Sequence, residues 1–181
     1  MKNLADTQQE LFKYISLFFL LVAITITSYF IARILAGIDE PFPVGEALVR
    51  IEWPSPETSM FHAKPVTYLV FSIMLAWLFG LEALRDKFLK ISDLWMKIMM
   101  IIACLLAFAG GYETFWNFSM WSAMYSAEPT KNPDTFANTY PNPRYPWNFV
   151  FATKMFSLLF FAAIYFIIFL MTVSWRRERK S

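Results

Sequence analysis

Four apolar segments in this chain are each long enough to cross a lipid bilayer, which takes roughly 20 residues. They run from about Tyr14 to Ala36, Pro65 to Leu84, Leu94 to Gly111 and Trp147 to Trp175. In hydrocarbon each backbone N–H and C=O must find its partner inside the protein, so segments of this kind cross as helices. The third is expected to continue as helix to about Tyr125. Charged residues make up 17% of the chain, against about 25% in soluble proteins, which agrees with a membrane protein. The expected fold is all-α: a four-span transmembrane bundle forming a single integral membrane domain over residues 1–181, with no internal repeat and no soluble domain.

The prolines agree with this division. All ten lie outside the span interiors, between Pro41 and Pro65 and between Pro129 and Pro146. Pro65 and Pro146 fall where a helix begins, the position at which a missing N–H costs least. The two long connections are rich in Pro, Trp, Phe and Tyr ("RIEWPSPETSMFHAKP", "NTYPNPRYPWNF"). They are too short to be domains, and their composition predicts that they pack against each other or against another subunit.

Basic residues predict the orientation. Lys2, Lys13, Arg85, Lys87, Lys90, Arg176, Arg177, Arg179 and Lys180 fall on one side; Arg50, Lys64, Lys131 and Arg144 fall in the two long loops with seven acids. The richer side, with both termini, is expected to be cytoplasmic in a cell membrane, and the long loops extracytoplasmic. The first segment does not read as a signal peptide, because Asp6 and Glu10 precede it and its apolar run is too long.

Several function classes drop out on composition. A net charge of +2 gives no case for nucleic acid. The single cysteine, Cys104, excludes an intrachain disulfide or a CxxC pair, and the single histidine, His62, excludes a bis-histidine haem held by this chain alone.

Ionisable residues inside spans are costly and need partners. Glu82 and Lys97 sit at the inner helix ends, where they are expected to snorkel to the interface. Arg33, His62, Glu113 and Lys154 lie at comparable depth near the outer side. Glu113 and Asn117 are four apart and share a helix face. The structural reading is an ion pair of Glu113 with Lys154 or, second, Arg33. The alternatives are a metal or substrate site at Glu113, Asn117 and His62, or plain solvation of the acid. Lys154 stands about eight residues into the fourth span, roughly 10–12 Å along its axis at 1.5 Å per residue. His62 reads as an interfacial or capping residue. Two stripes of small residues at four-residue spacing, Ser28/Ala32/Ala36 and Ala103/Ala107/Gly111, predict close helix contacts.

Several stretches, in order, carry a resemblance. A long Pro- and aromatic-containing loop is followed by "MFHAKPVTYLVF", a short basic turn "EALRDKFLK", a third span ending in "GYETFWNFSMW", and the entry "NPRYPWNFVF" to the last span. In this layout the chain resembles the C subunit of the copper-dependent membrane monooxygenases, the archaeal ammonia monooxygenase and particulate methane monooxygenase group. The resemblance covers most of the chain and lies in layout more than in letters. It implies a copper site built from an acid and histidines around the third and fourth spans. Glu113 matches the acid; Asn117 stands where a histidine is wanted, and the entry to the last span has Pro146 and Trp147 instead of histidine. The resemblance therefore implies a ligand-poor relative, or an accessory subunit in a hetero-oligomer whose copper is held by other chains.

The first functional expectation is thus a non-catalytic subunit of a larger membrane complex, with no cofactor or metal of its own. The alternatives are a small membrane redox enzyme using Glu113, His62 and Asn117, or a transport or channel component with Glu113 and Lys154 on its path.

Overall fold

The computed structural model describes residues 4–37, 65–127 and 149–179. They form five helices: α1 (Leu4–Leu35), α2 (Pro65–Ala83), the single turn α3 (Arg85–Phe88), α4 (Asp93–Ala127) and α5 (Phe149–Glu178). All but α3 are long and apolar enough to cross a membrane. The chain is a multi-pass helical membrane protein, and the described residues contain no strand. α1 begins ten residues before the expected first span, because "LADTQQELFK" is rich in helix-forming residues that hydropathy does not register. α4 runs through Tyr125 to Ala127. At 1.5 Å per residue its 35 residues reach about 52 Å, well beyond the ~30 Å hydrocarbon layer.

The helices associate as two antiparallel pairs. α1 packs on α2, α4 packs on α5, and a thinner α2–α5 seam joins the pairs. Lipid tails are as apolar as leucine, so burial alone does not bring spans together; close approach and hydrogen bonds do. In the first pair Ala23, Ile26 and Phe30 of α1 meet Leu69 of α2. Lower down, Ser16 Oγ donates to the Ala76 carbonyl at 2.8 Å. It can come that near because Gly80 has no side chain: a Cβ there would stand 3.1 Å from that oxygen.

The second pair is closer still. Ala103, Ala107, Gly110 and Gly111 are all buried. A Cβ on Gly110 would stand 2.9 Å from the backbone nitrogen of Phe160 and 3.2 Å from the carbonyl oxygen of Phe156. On the thinner seam, Trp77 Nε1 donates to the Ala162 carbonyl at 3.2 Å. Leu81, Met96, Phe169, Leu170 and Val173 close α2, α4 and α5 around a buried cluster.

α2 and α5 run parallel, as the Thr67–Lys154 and Glu82–Tyr165 contacts require. The start of α1 and the finish of α5 therefore share the end of the bundle that holds α3. There Arg177 reaches across the turn, donating from Nε to the Leu89 carbonyl at 2.9 Å, from Nη1 to Asp93 at 2.8 Å, and from Nη2 to the Ile91 carbonyl. It satisfies carbonyls that the short helix leaves open.

The two small-residue stripes have different outcomes. Ala103, Ala107 and Gly111 line the α4–α5 contact. Ser28, Ala32 and Ala36 are exposed among the described residues. The inward face of α1 is instead the larger set Ala23, Ile26 and Phe30, which can interdigitate with α2 without requiring close backbone approach.

Candidate functional site

The end of the bundle opposite α3 carries the polar layer. α5 begins at Phe149 and α4 continues fourteen residues past Glu113. Because the two are antiparallel, Gly110 lies against Phe156 and Phe160, and the Trp116 and Phe149 rings lie 6.1 Å apart. Interpolation between these contacts places Glu113 at the level of Lys154. The axial offset expected from the sequence is therefore absent.

Lys154 donates from Nζ to Thr67 Oγ1 at 3.1 Å, across the α2–α5 seam. Glu113 is half-buried on α4, with Oε2 shielded from solvent. Asn117 is wholly buried, at 0% exposure, and its Nδ2 donates to the Glu113 backbone carbonyl at 2.7 Å. The i, i+4 spacing thus draws the Asn117 amide back to the main chain. On α1, Arg33 donates to the Tyr29 hydroxyl at 3.2 Å and lies 5.7 Å from the centre of its ring. α1 packs chiefly on α2, so of the two bases it is Lys154 whose helix shares an interface with that of Glu113. His62 lies outside the described residues. Cys104 is exposed on the apolar face of α4.

Around Lys154, α2 and α5 diverge to leave a groove of about 300 Å³, whose walls include Thr67, Phe71, Met74, Leu158 and Phe161. Its lining is mostly apolar, with Lys154, Thr67, Thr153 and Ser157 as the polar side chains. Among the described residues no three His, Cys, Asp or Glu side chains gather into a group that could hold a metal. The donors that Glu113 and Asn117 offer are oxygens, which suit hard cations; copper prefers imidazole or sulfur. These two residues alone do not fit a copper ion.

A second polar cluster lies near the α3 end, and sequence reasoning missed it. Glu82 does not snorkel outward. Arg85 donates to its carboxylate from Nε at 2.8 Å and from Nη2, and the Tyr165 hydroxyl donates to Glu82 Oε1 at 2.9 Å. The side chains of Arg85 and Glu82 are only 15% and 21% exposed. The Arg85 guanidinium also stands 5.3 Å from the centre of the Phe169 ring. The i, i+3 spacing of Glu82 and Arg85 was a usable signal; the tyrosine, 83 residues away, had none. Lys97 is exposed, as a snorkelling lysine would be.

The shared level of Glu113 and Lys154 makes the pairing of these two charges testable. Removing one partner of a pair in a low-dielectric layer strands the other. Lys154→Met alone is expected to lower the thermal midpoint more than Lys154→Met combined with Glu113→Gln. A double-mutant cycle measures the coupling; simple additivity of the two losses would show that no such pair forms.

No family model, curated protein or solved structure matches this chain.

Proposed function

We propose that this chain is a non-catalytic accessory subunit of a multi-subunit membrane complex, and that the complex is a copper-dependent monooxygenase of the ammonia- or methane-oxidising kind, which the layout of the chain resembles. The observation that carries this reading is the surface left over once the four long helices have packed. α1 presents Ser28, Ala32 and Ala36 outward at four-residue spacing, the pattern that lets a further helix approach closely in lipid. α4 extends past the hydrocarbon layer and carries Phe115 and Phe118 at 70% and 54% exposure. Exposed rings of this kind offer apolar contact area, and here they stand on a rigid arm that a neighbouring subunit can grip. One histidine and one cysteine in the whole chain support a scaffolding role over a chemical one. In this reading copper belongs to partner chains, and the end of the bundle bearing α3 faces the cytoplasm, as the basic residues indicate.

Native mass spectrometry of the complex extracted in mild detergent tests the proposal. The chain is expected to travel with other membrane subunits, and copper is expected in the assembly but not in the isolated chain. A chain that runs alone, or stoichiometric copper in the isolated chain that is lost on His62→Ala, would overturn it. In the same membranes a cysteine placed at Ser181 is expected to be shielded from an impermeant label added outside, and one placed at Ser55 to react; equal labelling would overturn the proposed topology.

A further inference from the structure

α4 is about 52 Å long, about 22 Å more than the ~30 Å hydrocarbon layer. Tilt alone does not absorb that surplus. To lie wholly inside the layer the helix would need an angle of roughly 55°, beyond the usual limit of about 40°. The surplus therefore emerges from the membrane, and the surface near the α3 end decides where. Trp95 on α4 and Trp175 on α5 are both exposed. Asp93 meets Arg177, so two residues further along each antiparallel helix Trp95 and Trp175 stand at one level. Gly110 meets Phe160, so five residues further Phe115 and Met155 also stand at one level. Trp95 to Phe115 and Trp175 to Met155 are each 20 residues, about 30 Å, the thickness of the hydrocarbon. Glu113 and Lys154 lie within two residues of that second level.

We propose that Trp95 and Trp175, with the basic side chains at their end of the bundle, dock on the lipid headgroup layer there. This contact sets the depth of the bundle, so that the surplus of α4 emerges at the opposite end. An indole ring favours the interface because its body is apolar while its N–H needs a partner. Trp77, in mid-span, has its N–H taken by the Ala162 carbonyl at 3.2 Å. Trp95 and Trp175 have no such bond among the described residues, and the headgroup layer supplies acceptors. Charge favours the same partner. Lys90, Lys97 and Arg176 are exposed at this end. Residues 85–97 and 175–181 together hold eight Lys and Arg against three acids, Asp86, Asp93 and Glu178. Asp93 is met by Arg177. The excess of positive charge suits a layer of phosphates. Arg177 also fastens the turn before α4 by its bonds to Leu89 and Ile91, so Trp95 stands on a fixed platform. Past Phe115, residues 116–127 then stand outside the hydrocarbon as an arm of about 18 Å. None of this depends on which side is cytoplasmic or on which complex the chain joins.

The test uses the full chain in lipid nanodiscs, which leave both faces of the membrane open, and a water-soluble maleimide. A thiol held in hydrocarbon does not ionise and so does not react. Wild-type Cys104, nine residues past Trp95, is expected to stay unlabelled. Leu94→Cys, Ser119→Cys and Ala123→Cys are expected to react at least about tenfold faster than Ile101→Cys and Phe108→Cys. Labelling of Cys104 in the wild-type chain overturns the proposal. So does protection at Leu94→Cys, Ser119→Cys or Ala123→Cys. Fluorescence locates the rings themselves. The emission removed by Trp95→Phe with Trp175→Phe is expected to be quenched more by lipid brominated near the glycerol than by lipid brominated near the chain end. An equal or reversed order overturns the proposal. Trp95→Ala with Trp175→Ala is expected to shift the boundary, read as about a threefold or larger change in labelling of Phe115→Cys. An unchanged rate overturns the proposal. If a cysteine variant does not fold, Cys104 labelling and the quenching order decide the matter.

Discussion

Gly110→Ala is expected to destabilise the α4–α5 pair by about 1–3 kcal/mol, the usual cost of overpacking, and Gly111→Ala by much less. Both substitutions gain helix propensity of about 1 kcal/mol, so that gain cancels in the comparison. What differs is the neighbour. The new methyl at Gly110 would meet the Phe160 nitrogen at 2.9 Å and the Phe156 carbonyl oxygen at 3.2 Å, both of them backbone. A helix backbone cannot step aside without moving its whole turn. The methyl at Gly111 meets only the edge of the Phe160 ring, at 3.2 Å, and a ring can rotate. Thermal unfolding in detergent of the two variants side by side measures the difference. If Gly110→Ala is no worse than Gly111→Ala, the close approach of the two helices is not as described.

The second large effect is at the opposite end. Arg85→Met removes the cation that holds Glu82 and leaves a carboxylate at 21% exposure with the Tyr165 hydroxyl as its remaining donor among those described. Breaking a buried pair in this way costs about 3–5 kcal/mol, and the residual exposure of Glu82 places the expected loss at the lower end, about 3 kcal/mol. Arg85→Met combined with Glu82→Gln is expected to recover a good part of it, because an amide tolerates the site without a counter-charge. The Arg177–Asp93 pair provides the contrast. Asp93 is 88% exposed, so Asp93→Asn is expected to cost less than 1 kcal/mol. Equal losses from Arg85→Met and Asp93→Asn would mean that the Glu82 cluster is a surface feature.

Much of this architecture can be read from local sequence. Whether a segment spans depends on its transfer into hydrocarbon and on closing its own backbone hydrogen bonds, and both are properties of about 20 consecutive residues. That is why the four spans, the prolines outside them and the long extension of α4 are legible. The Ala103, Ala107 and Gly111 stripe is legible for the same reason: its spacing lies within one helix.

Which face meets which neighbour is not a local property. Leucine against lipid and leucine against leucine differ little, so the outcome rests on a few contacts between distant residues. The Ser28, Ala32 and Ala36 stripe has the same spacing as the one on α4, yet α1 turns Ala23, Ile26 and Phe30 to α2 instead. Gly110, one residue off the predicted stripe, is a point of close approach because the α4–α5 crossing brings the Phe160 backbone to it. Lys154 is drawn to Thr67, 87 residues away, and Glu82 to Tyr165, 83 residues away. Composition and periodicity carry no information about such pairs, since it is the parallel register of α2 and α5 that brings them within hydrogen-bonding distance.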